Sequence, residues 1–329
     1  MTQYNRVIGT GGIGSGVIYR LRGDHNLGRN ESRTGQRLPQ RDFCKLHIIF
    51  HYVTQILRDV AAPVEMFPIG GVGADESGRM LLAEMRRVGM NNRHVHVLAK
   101  RPTLFSFCYQ FADGSGGNIT EENSASAAVL PALIRRACRQ LDGRRSLVLA
   151  VPEVPLASRA QLLAWGRRQK AFTAASFLAE EMNEVRAAQL LRQADLVSLN
   201  IDEAAALAQS SPRAAPRTIV ARAARHAGPS TSLFVTHGKQ GIYSWQSGNV
   251  VFYPALTVKV VNTAGAGDAF FAGLLLGKIL GGDGIRLGRL LAAISVTSPD
   301  TIHFGINRRS LAAFARAHGE ADVVRSLYV

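Results

Sequence analysis

Val260 to Gly277 reads VVNTAGAGDAFFAGLLLG: an apolar strand-like run, a Gly-Ala-Gly bend and a strongly helical segment in direct succession. Glycines at the mouth of a helix let backbone N–H groups approach a ligand, and the free donors and dipole of that terminus favour an anion. Asp268 stands in the first helical turn. A carboxylate there can serve as a helix cap and nothing more. A cap, however, does not require Gly265, Ala266 and Gly267 in front of it. Phosphoryl transfer asks the protein to hold a phosphate, offset its charge and orient an attacking hydroxyl. A bend rich in free amides meets the first two needs, and a carboxylate beside it can accept the hydroxyl's proton.

Outward from this stretch, short apolar runs alternate with amphipathic helical patterns. Strands are expected at 64–69, 146–151, 171–175, 196–199 and 233–236. Helices are expected at 78–88, 130–141, 159–169, 180–193, 201–209 and 215–227, and then at 267–280, 285–296 and 310–318. Strands that each precede a helix make βαβ units, so the fold class is α/β, with a mostly parallel central sheet between helical layers. One segment departs from the pattern. Thr103 to Thr120 alternates at period two through Phe105, Phe107, Tyr109 and Phe111, then meets the turn composition Ala112-Asp113-Gly114-Ser115. It reads as a small β-strand lid, formed from about 15–40 and 100–122, on one domain spanning 1–329.

The stretch Asn262-Thr263-Ala264-Gly265-Ala266-Gly267-Asp268 resembles the D-T-x-G-A-G-D block of ribokinase-like (PfkB) carbohydrate kinases. The resemblance implies a ribokinase-like three-layer α/β/α core, with Gly265, Ala266 and Gly267 as anion hole and Asp268 as catalytic base. Leu199-Asn200-Ile201-Asp202-Glu203 resembles the family's N-x-x-E. This implies that Asn200 and Glu203 lie near Mg²⁺ and phosphates, with Glu203 acting through water, although the same pattern is also a capping box. Val235 to Gly241, VTHGKQG, is similar to the T-x-G-x-x-G turn. It implies nucleotide contacts for Thr236 and Gly238, with Gly241 serving the turn. Thr263 and the helix through Ser295, flanking an adenine pocket, complete the implied ATP site. Gly70 to Gly78 resembles a structural turn of the family.

Two departures stand out. Asn262 occupies the block's usual aspartate position, which puts in question any monovalent cation site which that carboxylate would organise. The glycine-rich block that helps grip the sugar is replaced by Gln40-Arg41-Asp42-Phe43-Cys44-Lys45-Leu46-His47. The acceptor site is therefore rebuilt, and its candidates are Gly12, Asp24, Asn26, Asp42 and Lys45, each also readable as a turn or surface residue. Lys45, His47 and His51 fall roughly on one helical face. Two other readings stay open. One is a non-catalytic nucleotide-binding regulator on the kinase fold. The other is an NAD-dependent enzyme using the Gly9-x-Gly11-x-x-Gly14 loop, with Glu31 some 20 residues on.

Composition narrows the partners. The net charge of +15 comes mainly from arginine, since only six of 39 basic residues are lysines. These arginines are scattered without an aromatic-interleaved stripe, so no nucleic-acid partner is expected; they suit a solvated surface that attracts anions. Three cysteines show neither disulfide nor zinc spacing. With no apolar leader and no 20-residue apolar run, a cytoplasmic protein without a membrane partner is expected. The expected acceptor is a sugar or sugar-like molecule. The apolar face of the lid predicts a homodimer paired through it.

Overall fold

The computed structural model describes residues 3–23, 28–58, 64–112 and 116–327. In chain order the first half holds β1 (Arg6–Thr10), β2 (Gly14–Leu21), β3 (Gly35–Phe43), α1 (Lys45–Leu57), β4 (Glu65–Gly73), α2 (Glu76–Val88), β5 (His94–Leu98), β6 (Leu104–Gln110), β7 (Gly116–Thr120) and α3 (Pro131–Cys138). There follow β8 (Ser146–Ala150), α4 (Leu156–Arg168), β9 (Phe172–Ala175), α5 (Met182–Ala187), β10 (Leu196–Asn200), α6 (Ile201–Leu207), α7 (Pro216–Ala223) and β11 (Ser232–Thr236). The chain closes with β12 (Gly241–Gln246), β13 (Asn249–Pro254), α8 (Ala266–Leu280), α9 (Gly284–Ser295) and α10 (Arg308–Ala317).

The large sheet runs β13-β12-β11-β10-β9-β8-β1-β4-β5, parallel except for the antiparallel β11–β12 and β12–β13 pairings, so that β12 alone is reversed. Its central strands are apolar on both faces because both faces are covered. Val7, Leu147 and Leu149 pack with α1, α2, α8, α9 and α10 on one side. Their alternating neighbours Ile8 and Val148 pack with α3 and α4 on the other, where α5, α6 and α7 continue the layer. The expected three-layer α/β architecture is thus present.

The small sheet, β3-β2-β6-β7, stands apart. The polar 15–40 region supplies β2 and β3, and β2 pairs with the predicted flap strand β6. Asp75, in the turn before α2, anchors the start of β6. It caps α2 through Gly78 N–H (2.8 Å) and accepts from Thr103 N–H (2.7 Å) and Thr103 Oγ1 (2.6 Å). Side chains alternate along β6 as period two demands. Ser106 and Cys108 turn inward to Asp42, while Phe105, with Ile119 of β7, is exposed.

Two sequence expectations are corrected. The helix predicted over 180–193 is broken into short pieces, because Gln189 takes a left-handed backbone (φ 50°) and Glu181 is drawn to the buried Arg159. The Gly9–Gly14 loop leads into strand β2, so it lacks the helix N-terminus on which a dinucleotide fingerprint would seat pyrophosphate.

Candidate active site

The C-terminal ends of the parallel strands converge on one crevice, the usual location of ligand sites in open α/β sheets. Asn200 ends β10 and Thr236 ends β11, while Gly12 and Glu153 follow β1 and β8. α8 enters from the opposite side of the crevice, with Gly265 as its N-cap. Gly265 has φ 79°, and a Cβ there would meet Thr301 O at 2.5 Å, so this bend needs glycine. Asn262 shapes the bend from below. Its Oδ1 accepts from Ala264 N–H (3.0 Å) and its Nδ2 donates to Pro299 O (2.8 Å). Asn262 therefore does a positioning task through its amide, which offers no carboxylate to a cation. The first-turn amides of α8, left without intrahelical acceptors, point the helix's positive end into the crevice.

Asp268 is half-buried beside that bend, with 14% of its side chain exposed. Burial raises its pKa, while Lys45, with Nζ 3.7 Å from Asp268 Oδ1, opposes the rise. Lys45 stands at the start of α1, where Asp268 attraction raises its own pKa further. Glu153 completes the cluster. Its Oε2 accepts from Lys45 N–H (3.2 Å), burial pushes its pKa up to about 7, and its backbone has φ 74°. A Cβ at Gly12 would lie 2.3 Å from Glu153 Oε2, so Gly12 makes room for that carboxylate. Asp42, at the end of β3, accepts from Ser106 Oγ and from Cys108 Sγ (3.2 Å), and burial raises its pKa.

Two chambers open around this cluster. The larger, about 650 Å³, is lined by Asn200, Glu203, Thr236, Gly238, Gly241, Thr263 and the Gly265–Asp268 bend. Leu256, Val258, Ala292 and Val296 form its apolar wall. The smaller, about 280 Å³, lies under the lid, between Asp42, Ser106, Cys108, Asn118, Glu153 and Asn262. Lys45, Thr263, Gly265 and Asp268 line both.

The predicted nucleotide residues thus share one wall, with one exception. Ser295 is 4% exposed and its hydroxyl donates to Ala292 O (2.8 Å), so it is satisfied within α9 and does not line the chamber. Asn200 and Glu203 form a reciprocal capping box at 2.8 Å in each direction, which fixes the Glu203 carboxylate at the chamber. Gly238 has φ 51° and borders open space, since a Cβ there would meet no atom within 4 Å, whereas Gly241 abuts Tyr253 O. Of the acceptor candidates, Asp42 and Lys45 line the small chamber and Gly12 backs Glu153; Asp24 and Asn26 lie outside the described residues. The suggested grouping of Lys45 with His47 and His51 fails. Lys45 faces Asp268, while the two histidines pack against Phe43 and Phe304. Sequence reasoning missed Glu153, although an acid directly after a strand, in Val151-Pro152-Glu153, was the available signal.

The architecture recurs in solved structures, which define the class of fold. Ribokinase from Giardia lamblia superposes with a TM-score of 0.78 at 18% identity, covering 96% of this chain and 99% of that one. A Burkholderia thailandensis nucleoside kinase in complex with inosine gives 0.74 at 17% identity, covering 95% and 98%. Arabidopsis thaliana ribokinase complexed with ribose and ATP gives 0.70 at 18%, covering 94% and 98%. A Klebsiella pneumoniae fructokinase is 53% identical over 47 residues, a match that spans 14% of this chain and 15% of that protein. The sequence pattern of the pfkB family carbohydrate kinases matches residues 56–307, and the chain belongs to that family.

Proposed function

We propose that the protein transfers the terminal phosphoryl group of ATP to a hydroxyl of an unphosphorylated sugar or sugar-like polyol. The observation that carries this reading is the junction of the two chambers, where Lys45, Thr263, Gly265 and Asp268 line both. A triphosphate in the large chamber and an alcohol in the small one would meet there. The apolar wall suits an adenine ring, and the glycine turn at Gly238 allows phosphates to approach backbone. Asp268 accepts the proton of the attacking hydroxyl, and the Gly265–Gly267 amides receive the charge that develops on the transferred group. Lys45 favours the ionised form of the half-buried Asp268 for that task.

Asn200 and Glu203 offer oxygen donors of the kind a hard cation takes. Glu203 Oε2 is already engaged by Asn200 N–H, so these residues fit Mg²⁺ held through water. Mg²⁺ when bound would offset phosphate charge.

The charge balance of the small chamber points to an acceptor without a phosphate. Asp42, Glu153 and Asp268 face one lysine, and no arginine lines it among the described residues. Carboxylates accept hydrogen bonds from hydroxyls and repel phosphates. A homodimer through the lid is part of the same proposal, supported by Phe105 (43% exposed) and Ile119 (65%) on its outer face; a concentration-independent monomer in sedimentation would exclude it.

A panel of free sugars, polyols, nucleosides and sugar phosphates tests the activity. Asp268→Asn should abolish ADP release with the best acceptor while nucleotide affinity, read by calorimetry, stays largely intact. Near-normal turnover by that variant would remove Asp268 as the base. Nucleotide binding with no acceptor phosphorylated would favour a regulator instead.

A further inference from the structure

Behind the acceptor chamber lies a second polar cluster that the phosphoryl-transfer reading does not use. His47 and His51 sit one turn apart on α1, with exposures of 0% and 1%. Glu84 reaches them from α2, with 11% of its side chain exposed. A ligand atom from each of the three lies within 4.8 Å of the others. Among the described residues, none of the four imidazole nitrogens has a hydrogen-bond partner, and neither has Glu84 Oε1. Phe43 meets His47 edge-on at 4.9 Å and Phe304 meets His51 at 5.3 Å, contacts that cover ring surface and leave the nitrogens unsatisfied.

Buried polar atoms are almost always paired, and each unpaired one costs about 1–3 kcal/mol. Five of them in one cluster are therefore costly, and a cation would take one lone pair from each residue, satisfying three of the five. Two histidines at i and i+4 on a helix, with a carboxylate from a second element, form the nitrogen and oxygen donor set that suits Zn²⁺. Mg²⁺ and Ca²⁺ prefer all-oxygen sites. The carboxylate is also oriented for this role. Arg41 holds Glu84 Oε2 at 2.5 Å, which leaves Oε1 as the single free donor.

We propose that His47, His51 and Glu84 bind one divalent transition-metal ion of the zinc type, with water in the fourth position. The ion ties α1 to α2. His47 is two residues beyond Lys45, and Arg41 immediately precedes Asp42, so the brace holds both acceptor-chamber residues from behind. The site is separate from any cation that accompanies nucleotide, and it stands whether or not the phosphoryl-transfer reading does. The positive charges of Arg41 and of Arg87, which lies near His51, oppose the ion and weaken its binding relative to a site without them.

The test uses the full chain, stripped with a chelator, dialysed without nucleotide and titrated with Zn²⁺ against a chromophoric competitor. One Zn²⁺ per chain is expected. Glu84→Gln and His51→Gln should each weaken binding by more than the roughly 10- to 100-fold that loss of a mere supporting partner costs. If His51→Gln fails to fold, Glu84→Gln, at the edge of the site, decides alone. Co²⁺ loaded in place of Zn²⁺ should give a d–d spectrum without a thiolate charge-transfer band, which separates this site from binding by the cysteines. No uptake at micromolar free Zn²⁺, uptake unchanged in the variants, or a thiolate band would each overturn the proposal.

Discussion

The contact between α8 and α9 supplies a prediction whose size follows from geometry. A Cβ placed on Gly273 would lie 2.3 Å from Gly288 Cα and 2.4 Å from Gly288 N. One turn on, a Cβ at Gly277 would lie 2.2 Å from Gly284 Cα. The two helices therefore touch backbone to backbone, and no rotamer change can relieve an added methyl. Gly273→Ala must part the helices by roughly 1 Å to restore ordinary contact distances. Alanine gains about 1 kcal/mol of helix propensity over glycine. Overpacking costs about 1–3 kcal/mol, and a rigid backbone neighbour puts this site at the upper end. The net expectation is a loss of about 2 kcal/mol, or about 3 °C in Tm for a chain of this size. Because α8 begins at the Asp268 bend, kcat should fall along with stability. Calorimetry and urea melts read the first effect, and steady-state ADP release reads the second. A Gly273→Ala protein that melts at or above the wild-type temperature would refute the close-contact argument.

Lys45→Met removes the charge 3.7 Å from Asp268. At an effective dielectric of about 20 that attraction is at most about 4.5 kcal/mol. With 31% of the Lys45 side chain exposed, about 1–2 kcal/mol is expected to survive screening. Losing it raises the Asp268 pKa further, so the acid limb of the kcat/KM profile should move to higher pH by about one unit, with activity recovering toward alkaline pH and Lys45→Arg restoring the profile; an unmoved acid limb would contradict this. Glu153 is raised from 4.5 to about 7 by burial, so the folded state holds its proton longer than the unfolded chain, and wild-type stability falls as pH climbs through that window. Glu153→Gln should remove up to about 3 kcal/mol of this penalty at pH 8 and little of it near pH 5, and urea melts giving the same difference at both pH values would contradict that sign.

Much of the framework was legible locally. The bend at Gly265, the helix after it and the cap at Asn200 are governed by residues within one turn of each other, and the structure shows them where spacing put them. Five of the nine strands of the large sheet, β4, β8, β9, β10 and β11, were readable as short apolar runs, whereas β5 and β13 are polar or exposed along part of their length and gave no such signal. Where the sequence misled, a distant partner or a local bond intervened. The 180–193 segment has helical periodicity, yet Glu181 serves the guanidinium of Arg159 and Gln189 turns left-handed. Ser295 was placed at the adenine pocket by the likeness of its helix to the family's, yet its hydroxyl bonds within that helix.

By itself, then, the chain's order of residues determined its alternation of strands and helices, its Gly265–Gly267 bend and the position of Asp268, since propensity, periodicity and capping act over a few residues. Only the tertiary structure decided that Asp42, Lys45, Glu153 and Asp268 share one small chamber, and that His47 and His51 turn away from it toward Glu84. Those groups come from segments far apart in sequence. Their meeting depends on which helix face is buried against which neighbour and on charges paired across the crevice, information that no local pattern holds.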